Sequence, residues 1–132
     1  MMEFPLAPFF KSQSHLSVSA RKAIATQLPH LEHGFETSRV TTTAEPCFEL
    51  DECFANTEKA FQLYGGNILY GWLVREWSDI CTEIEAYAVL ENNTGHRIDP
   101  TPKSEPYRNE KHILFIEDTF VGRLLPTDRW SI

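Results

Sequence analysis

Residues Asn67–Trp77, NILYGWLVREW, are apolar on both parities: Ile68, Tyr70, Trp72 and Val74 lie on one side, Leu69, Leu73 and Trp77 on the other. A strand with two apolar faces belongs in the middle of a sheet that is covered from both sides. The rest of the chain has to supply that cover. Immediately upstream, Cys53, Thr57, Ala60, Phe61 and Tyr64 recur at helical spacing and predict a helix over residues 52–64 with one core-facing stripe. Gly65-Gly66 supplies its left-handed stop. Downstream, Ser78-Asp79 reads as a turn, and residues 82–90 alternate, with Ile84, Ala86, Ala88 and Leu90 on a core face and Glu83, Glu85, Tyr87 and Val89 opposite.

The flanks are read the same way. Asn92-Asn93-Thr94-Gly95 is a hairpin turn of residues tolerant of positive φ. It leads into a brief strand ending at Asp99 and a loop carrying Pro100, Pro102 and Pro106. Residues 111–117 form a last strand with Ile113, Leu114, Phe115 and Ile116 apolar on both parities, and the tail packs Trp130 on the body. Toward the start, residues 1–16 read as an extended arm anchored by Phe4, Phe9 and Phe10. Ser17 or Ser19 caps a helix running to Gln27, with Val18, Ile24 and Leu28 on one side and Pro29 stopping it. Residues 30–46 give one irregular strand or loop ended by Pro46. The expected fold is a single α+β domain over residues 1–132 with a helix-plus-sheet core at 52–118. Its antiparallel sheet has four to five strands, with the Cys53 helix packed on one face and the N-terminal helix at its side.

Charge narrows the function classes. The chain of 132 residues has a formal net charge of −7, with the acidic excess concentrated in residues 32–91. Nucleic-acid affinity rests on Lys and Arg neutralising phosphates, so a chain with no basic cluster is not expected to bind nucleic acid. Three cysteines, Cys47, Cys53 and Cys81, cannot all pair internally, and their spacing matches no zinc signature, so no metal and no cofactor is expected. Reduced thiols in a cytoplasmic protein are the simplest reading. No apolar run approaches the roughly 18 residues of a membrane span, and the opening segment lacks the basic start of a signal peptide, so no membrane partner is expected.

One constellation carries chemistry. Cys53-Phe54-Ala55-Asn56 opens the helix, Gly65-Gly66 and Tyr70-Gly71-Trp72 follow, then Glu85 with Ala88-Val89, Asp99-Pro100-Thr101-Pro102 and Ile113-Leu114-Phe115. In this order the segment from Cys53 to Asp118 resembles a group of small uncharacterised bacterial proteins and, more distantly, the transglutaminase-like and papain-like thiol superfamily. That resemblance implies Cys53 as nucleophile and Asp99 as the orienting acid of a Cys-His-Asp site. The position it assigns to histidine holds Tyr87. A thiol hydrolase needs a base that takes a proton near neutral pH, which suits an imidazole of pKa about 6.5 and not a phenol near 10.

Two functions remain open on these residues. The first is a degenerate thiol-site protein that binds an unknown protein partner or small-molecule ligand through the former cleft, using Tyr87, Glu85, Asn56 and Trp72, without turnover. The alternative is an active cysteine hydrolase or acyl transferase in which Cys53 attacks, a relocated histidine is the base and Asp99 fixes its ring. Cys53 also has a purely structural reading, because cysteine is among the most buried residue types.

Overall fold

A computed structural model describes residues 16–77 and 81–124. The elements are α1 (Val18–Gln27), a 3-10 turn (Pro29–Leu31), β1 (Ser38–Thr42), α2 (Cys53–Tyr64), β2 (Asn67–Trp77), β3 (Cys81–Glu91), β4 (Arg97–Asp99), β5 (His112–Glu117) and α3 (Thr119–Leu124). The expected arm with Phe4, Phe9 and Phe10, the Ser78-Asp79 turn and the packing of Trp130 lie outside the described residues.

The β2–β3 hairpin is the backbone of the fold, paired without a break from Asn67↔Glu91 to Trp77↔Cys81. As its two apolar faces require, β2 is interior: its other side pairs with β5 from Gly71↔Glu117 to Val74↔Leu114. The expectation of a plain antiparallel sheet is corrected here. The order β1-β4-β3-β2-β5 closes into a barrel. Closure comes from β1, which runs antiparallel to β5 and parallel to β4 through Thr41↔Ile98 and Thr42↔Asp99. A closed barrel leaves no sheet edge unpaired, and it draws one strand from outside residues 52–118.

Parity then sorts the core into an inside and an outside. Inward residues Val40, Leu73, Tyr87, Val89, Ile113 and Phe115 form one cluster, joined at the barrel end by Cys53 from α2. Outward residues Val74, Leu114 and Ile116 lie under Ala20, Ile24 and Leu28 of the α1 segment. Outward Leu90 meets Ala60 of α2 and Phe48. The single core face expected for β3 is therefore incomplete: Tyr87 and Val89 are as buried as Ala88 and Leu90, because the barrel interior covers the second face.

Both long helices form where expected, with corrected faces. Ser17 caps α1, its hydroxyl accepting the Ala20 N–H at 3.1 Å, and it also donates to Glu76 at the end of β2. Val18 faces solvent, because α1 rests on Ala20 and Ile24. In α2 the buried positions are Cys53, Asn56, Thr57 and Ala60, while Phe61 and Tyr64 are exposed. The polar Asn56 joins the buried face near the start of the helix, and Thr57 donates to the Ala88 carbonyl at 3.2 Å. At the other end Gly65, at φ 76°, closes the helix through a 2.8 Å bond from its N–H to the Phe61 carbonyl.

Candidate functional site

Two loops meet over one end of the barrel. The loop before α2 and the loop after β4 are tied by the Asp51 N–H donating to the Pro102 carbonyl at 2.9 Å and by Ser104 donating from its N–H and hydroxyl to the Asp51 carboxylate. Asn56 holds the same junction from below. Its side chain accepts the Glu49 N–H at 3.2 Å, donates to the Glu49 carbonyl at 2.7 Å and donates to the Thr101 hydroxyl at 3.3 Å. Beneath the loops is a cavity of about 210 Å³, lined by Leu73 and Arg75 of β2, Glu85 and Tyr87 of β3, Asp51, and the 103–107 segment.

Tyr87 lines this cavity, and behind it Asp99 and Cys53 come close to the phenol and to each other. The Tyr87 hydroxyl donates to both oxygens of the Asp99 carboxylate, at 3.1 and 3.0 Å. Asp99 is wholly buried and also accepts the Thr101 N–H at 3.2 Å and Lys103 Nζ. Burial pushes the Asp99 carboxyl above its ordinary range, opposed by Lys103, Thr101 and the phenol. Burial also pushes the Tyr87 phenol up, and the neighbouring Asp99 and Cys53 add to it. The Cys53 thiol is pushed up to about 12, first by burial and then by Asp99 and Glu85, against hydrogen bonds from the Ala88 and Phe54 backbone. At neutral pH this thiol is a proton-bearing core group, since the thiolate is the nucleophilic form.

The cavity wall is a second polar network. Arg75 donates from Nε and Nη2 to the two oxygens of Glu110 at 3.0 and 2.9 Å, and its guanidinium lies 3.7 Å from the centre of the Tyr107 ring. Its Nη1 stands 3.6 Å from Glu85. Burial raises the Glu85 carboxyl, with Asp51, Glu83 and Glu110 adding and Arg75 opposing.

Of the six residues singled out from sequence, Cys53, Tyr87, Asp99 and Glu85 therefore gather at this end. Asn56 is a clamp on the loop above them. Trp72 points outward, packs beside the α1 cluster and donates its indole N–H to Asp118 at 2.9 Å. Sequence reasoning missed Arg75, Lys103 and Tyr107. An arginine in a run otherwise apolar on both faces, and a lysine four residues after Asp99, were the available signals.

No described histidine is engaged with Cys53 in these contacts. His30 donates from Nε2 to Asp118 at 2.6 Å, His33 stands 3.6 Å from Glu32, His96 bonds the Thr94 hydroxyl, and His112 accepts from Arg39. His15 lies outside the described residues. A wider opening of about 450 Å³ at the opposite barrel end is lined by Ser38, Arg97, Glu117 and their neighbours, and contains none of the residues singled out. Its arginine is already bonded to Ser38 at 2.9 Å and Glu117 at 3.0 Å. Among the described residues no group of three or more His, Cys, Asp or Glu is placed to hold a metal, and no helix is long and apolar enough to cross a membrane. Compared with known proteins, the chain matches no family model, no curated protein and no solved structure.

Proposed function

We propose that the barrel mouth binds a small ligand, or a side chain of a partner protein, without turnover at Cys53, in a thiol site whose histidine position is filled by Tyr87. One observation carries this reading: the Tyr87 hydroxyl occupies both oxygens of Asp99, the carboxylate that would otherwise orient a base. Cys53 then has an acid, a phenol and backbone amides around it, and among the described residues no imidazole is bonded to it to serve as its base near pH 7. A catalytic thiol needs the opposite environment, one in which positive charge favours the thiolate. The cavity beside this group is lined by side chains of both charges and by the rings of Tyr87 and Tyr107, which offer polar and aromatic partners to a small ligand. Three free cysteines, with Cys47 and Cys81 exposed, fit a reducing compartment such as the cytoplasm.

The test is alkylation by iodoacetamide, read by peptide mass mapping, with exposed Cys47 and Cys81 as internal controls. A thiol moved from 9.0 to about 12 carries roughly a thousandfold less thiolate at pH 8. Cys53 should accordingly remain unmodified while both controls react fully. Alkylation of Cys53 faster than Cys47, with an apparent pKa below about 8.5, would overturn the proposal and restore the hydrolase reading.

A further inference from the structure

The least expected group at this end is Lys103. Lysine is almost never fully buried unless paired, yet this side chain is 4% exposed and lines the cavity. Its Nζ donates to Asp99 Oδ2 and, at 3.3 Å, to the Thr101 carbonyl. An ammonium has three N–H donors, and those two acceptors account for two of them. Burying such an ion pair brings little net stability, because desolvation offsets the attraction. A buried lysine beside a carboxylate that can take its proton, at the wall of a cavity, is instead the arrangement of an amine nucleophile.

We propose that Lys103 captures a small aldehyde or ketone entering the cavity as a reversible imine. This deepens the reading of the mouth as a ligand cavity and rests on it. Asp99 takes a proton from Nζ, and the neutral amine adds its lone pair to the carbonyl carbon, giving a carbinolamine. Asp99 then returns the proton to the carbinolamine hydroxyl, which leaves as water while the nitrogen lone pair forms the C=N bond. The balance is one ammonium and one carbonyl giving one iminium and one water, with no oxidant or reductant. Tyr87, donating to the same carboxylate at 3.0 Å, holds Asp99 in place for both transfers and is a positioning residue. The cavity of about 210 Å³ suits a small ligand, on the order of benzene in size or somewhat larger.

The experiment uses the native chain with propanal and cyanoborohydride at pH 7, followed by peptide mapping. Exposed Lys22, Lys59 and Lys111 are the internal reference. Propylation of Lys103 at least tenfold faster than these three supports the proposal. Asp99→Asn combined with Lys103→Met, which removes both charges of the pair together, should abolish the signal while the exposed lysines react as before. Propylation of Lys103 no faster than the reference overturns the proposal. A parallel NMR titration with 1-propanol separates the two levels. If Leu73 and Tyr107 resonances shift with the alcohol while Lys103 is not trapped, carbonyl capture is wrong and the ligand cavity stands. If neither occurs, both readings fall.

Discussion

Replacing Tyr87 by Phe removes one oxygen from the floor of the site and leaves the ring. Tyr87 is 4% exposed, and its hydroxyl is shared between the two oxygens of Asp99. A hydrogen bond to a charged group contributes about 1.5–3 kcal/mol net. Asp99 keeps the Thr101 N–H and Lys103 Nζ, so the carboxylate is weakened and not orphaned. The expected loss is therefore about 2 kcal/mol. For a chain of 132 residues, an unfolding entropy of about 2.1 cal/mol/K per residue turns that into a fall in Tm of about 7 °C. Urea unfolding followed by circular dichroism gives the free energy, and a thermal scan gives the Tm. The sign has a second check: the phenol is one of the groups that holds the Asp99 carboxyl down against burial, so that carboxyl should rise further in the variant. A variant within about 0.5 kcal/mol of the native chain, with Asp99 titrating as before, would mean that the phenol and the carboxylate are not coupled. The account of the site's floor would then be wrong.

Tyr87→His places an imidazole between Asp99 and Cys53, and the Cys53 pKa should fall from about 12 by pairing with the imidazolium; identical thiol titration in both chains would show that the two side chains are not neighbours. Gly71→Ala should cost about 3 kcal/mol or more in urea unfolding, because an added Cβ would stand 1.9 Å from the Ile116 carbonyl oxygen and 2.7 Å from the Phe115 ring. Phe115→Leu should not rescue it, since the closer clash is with backbone; recovery of the native midpoint would show that β2 and β5 are less closely apposed. For Asp118, burial raises the carboxyl, but hydrogen bonds from His30, Trp72 and the Phe120 N–H outweigh it, and the folded value lies below 3.8. A depressed carboxylate contributes stability that is present above its unfolded value and is lost as pH falls through that value to the folded one. Asp118→Asn should accordingly lower Tm at pH 7 and flatten the decline between pH 5 and 3; an unchanged acid limb would refute the role given to Asp118.

What the sequence revealed follows from how local each cause is. The α2 helix, its glycine stop, the β2–β3 hairpin and the Asn92–Gly95 turn depend on neighbours within a few residues, and their spacing carried them. The meeting of Tyr87 with Asp99 follows from that same turn, because the strands flanking it pair and bring the two side chains together. Barrel closure was not. It rests on a parallel β1–β4 pairing that includes Thr42↔Asp99, made between segments more than fifty residues apart, with no periodicity of its own. Trp72 was misplaced for a related reason: on a strand apolar on both faces, parity says which residues share a side but not which side is the interior. The cap of α3 had a signal that went unread, since an Asp followed by Thr-Phe is an ordinary helix start, and the Phe120 N–H does donate to Asp118 at 3.0 Å.

Closure also explains why the polar groups sit where they do. In a five-stranded barrel the interior is filled by side chains, so each inward position competes for one narrow volume. Gly71 gives up its side chain there, and Phe115 fills the space beside it. With Val40, Leu69, Val89 and Ile113 the middle of the barrel is apolar. Inward positions nearer the mouth cannot be filled the same way, because the capping loops bring backbone amides and carbonyls that need partners. Asp99 answers the Thr101 N–H, Asn56 answers Glu49, and Lys103 answers the Thr101 carbonyl. Once Asp99 is inside, it needs donors, and among the described side chains Tyr87 and Lys103 donate to it. The tyrosine at the histidine position and the lysine at the cavity wall are thus parts of one solution to burying a carboxylate at the end of a barrel. A change at either should be felt by the other through Asp99.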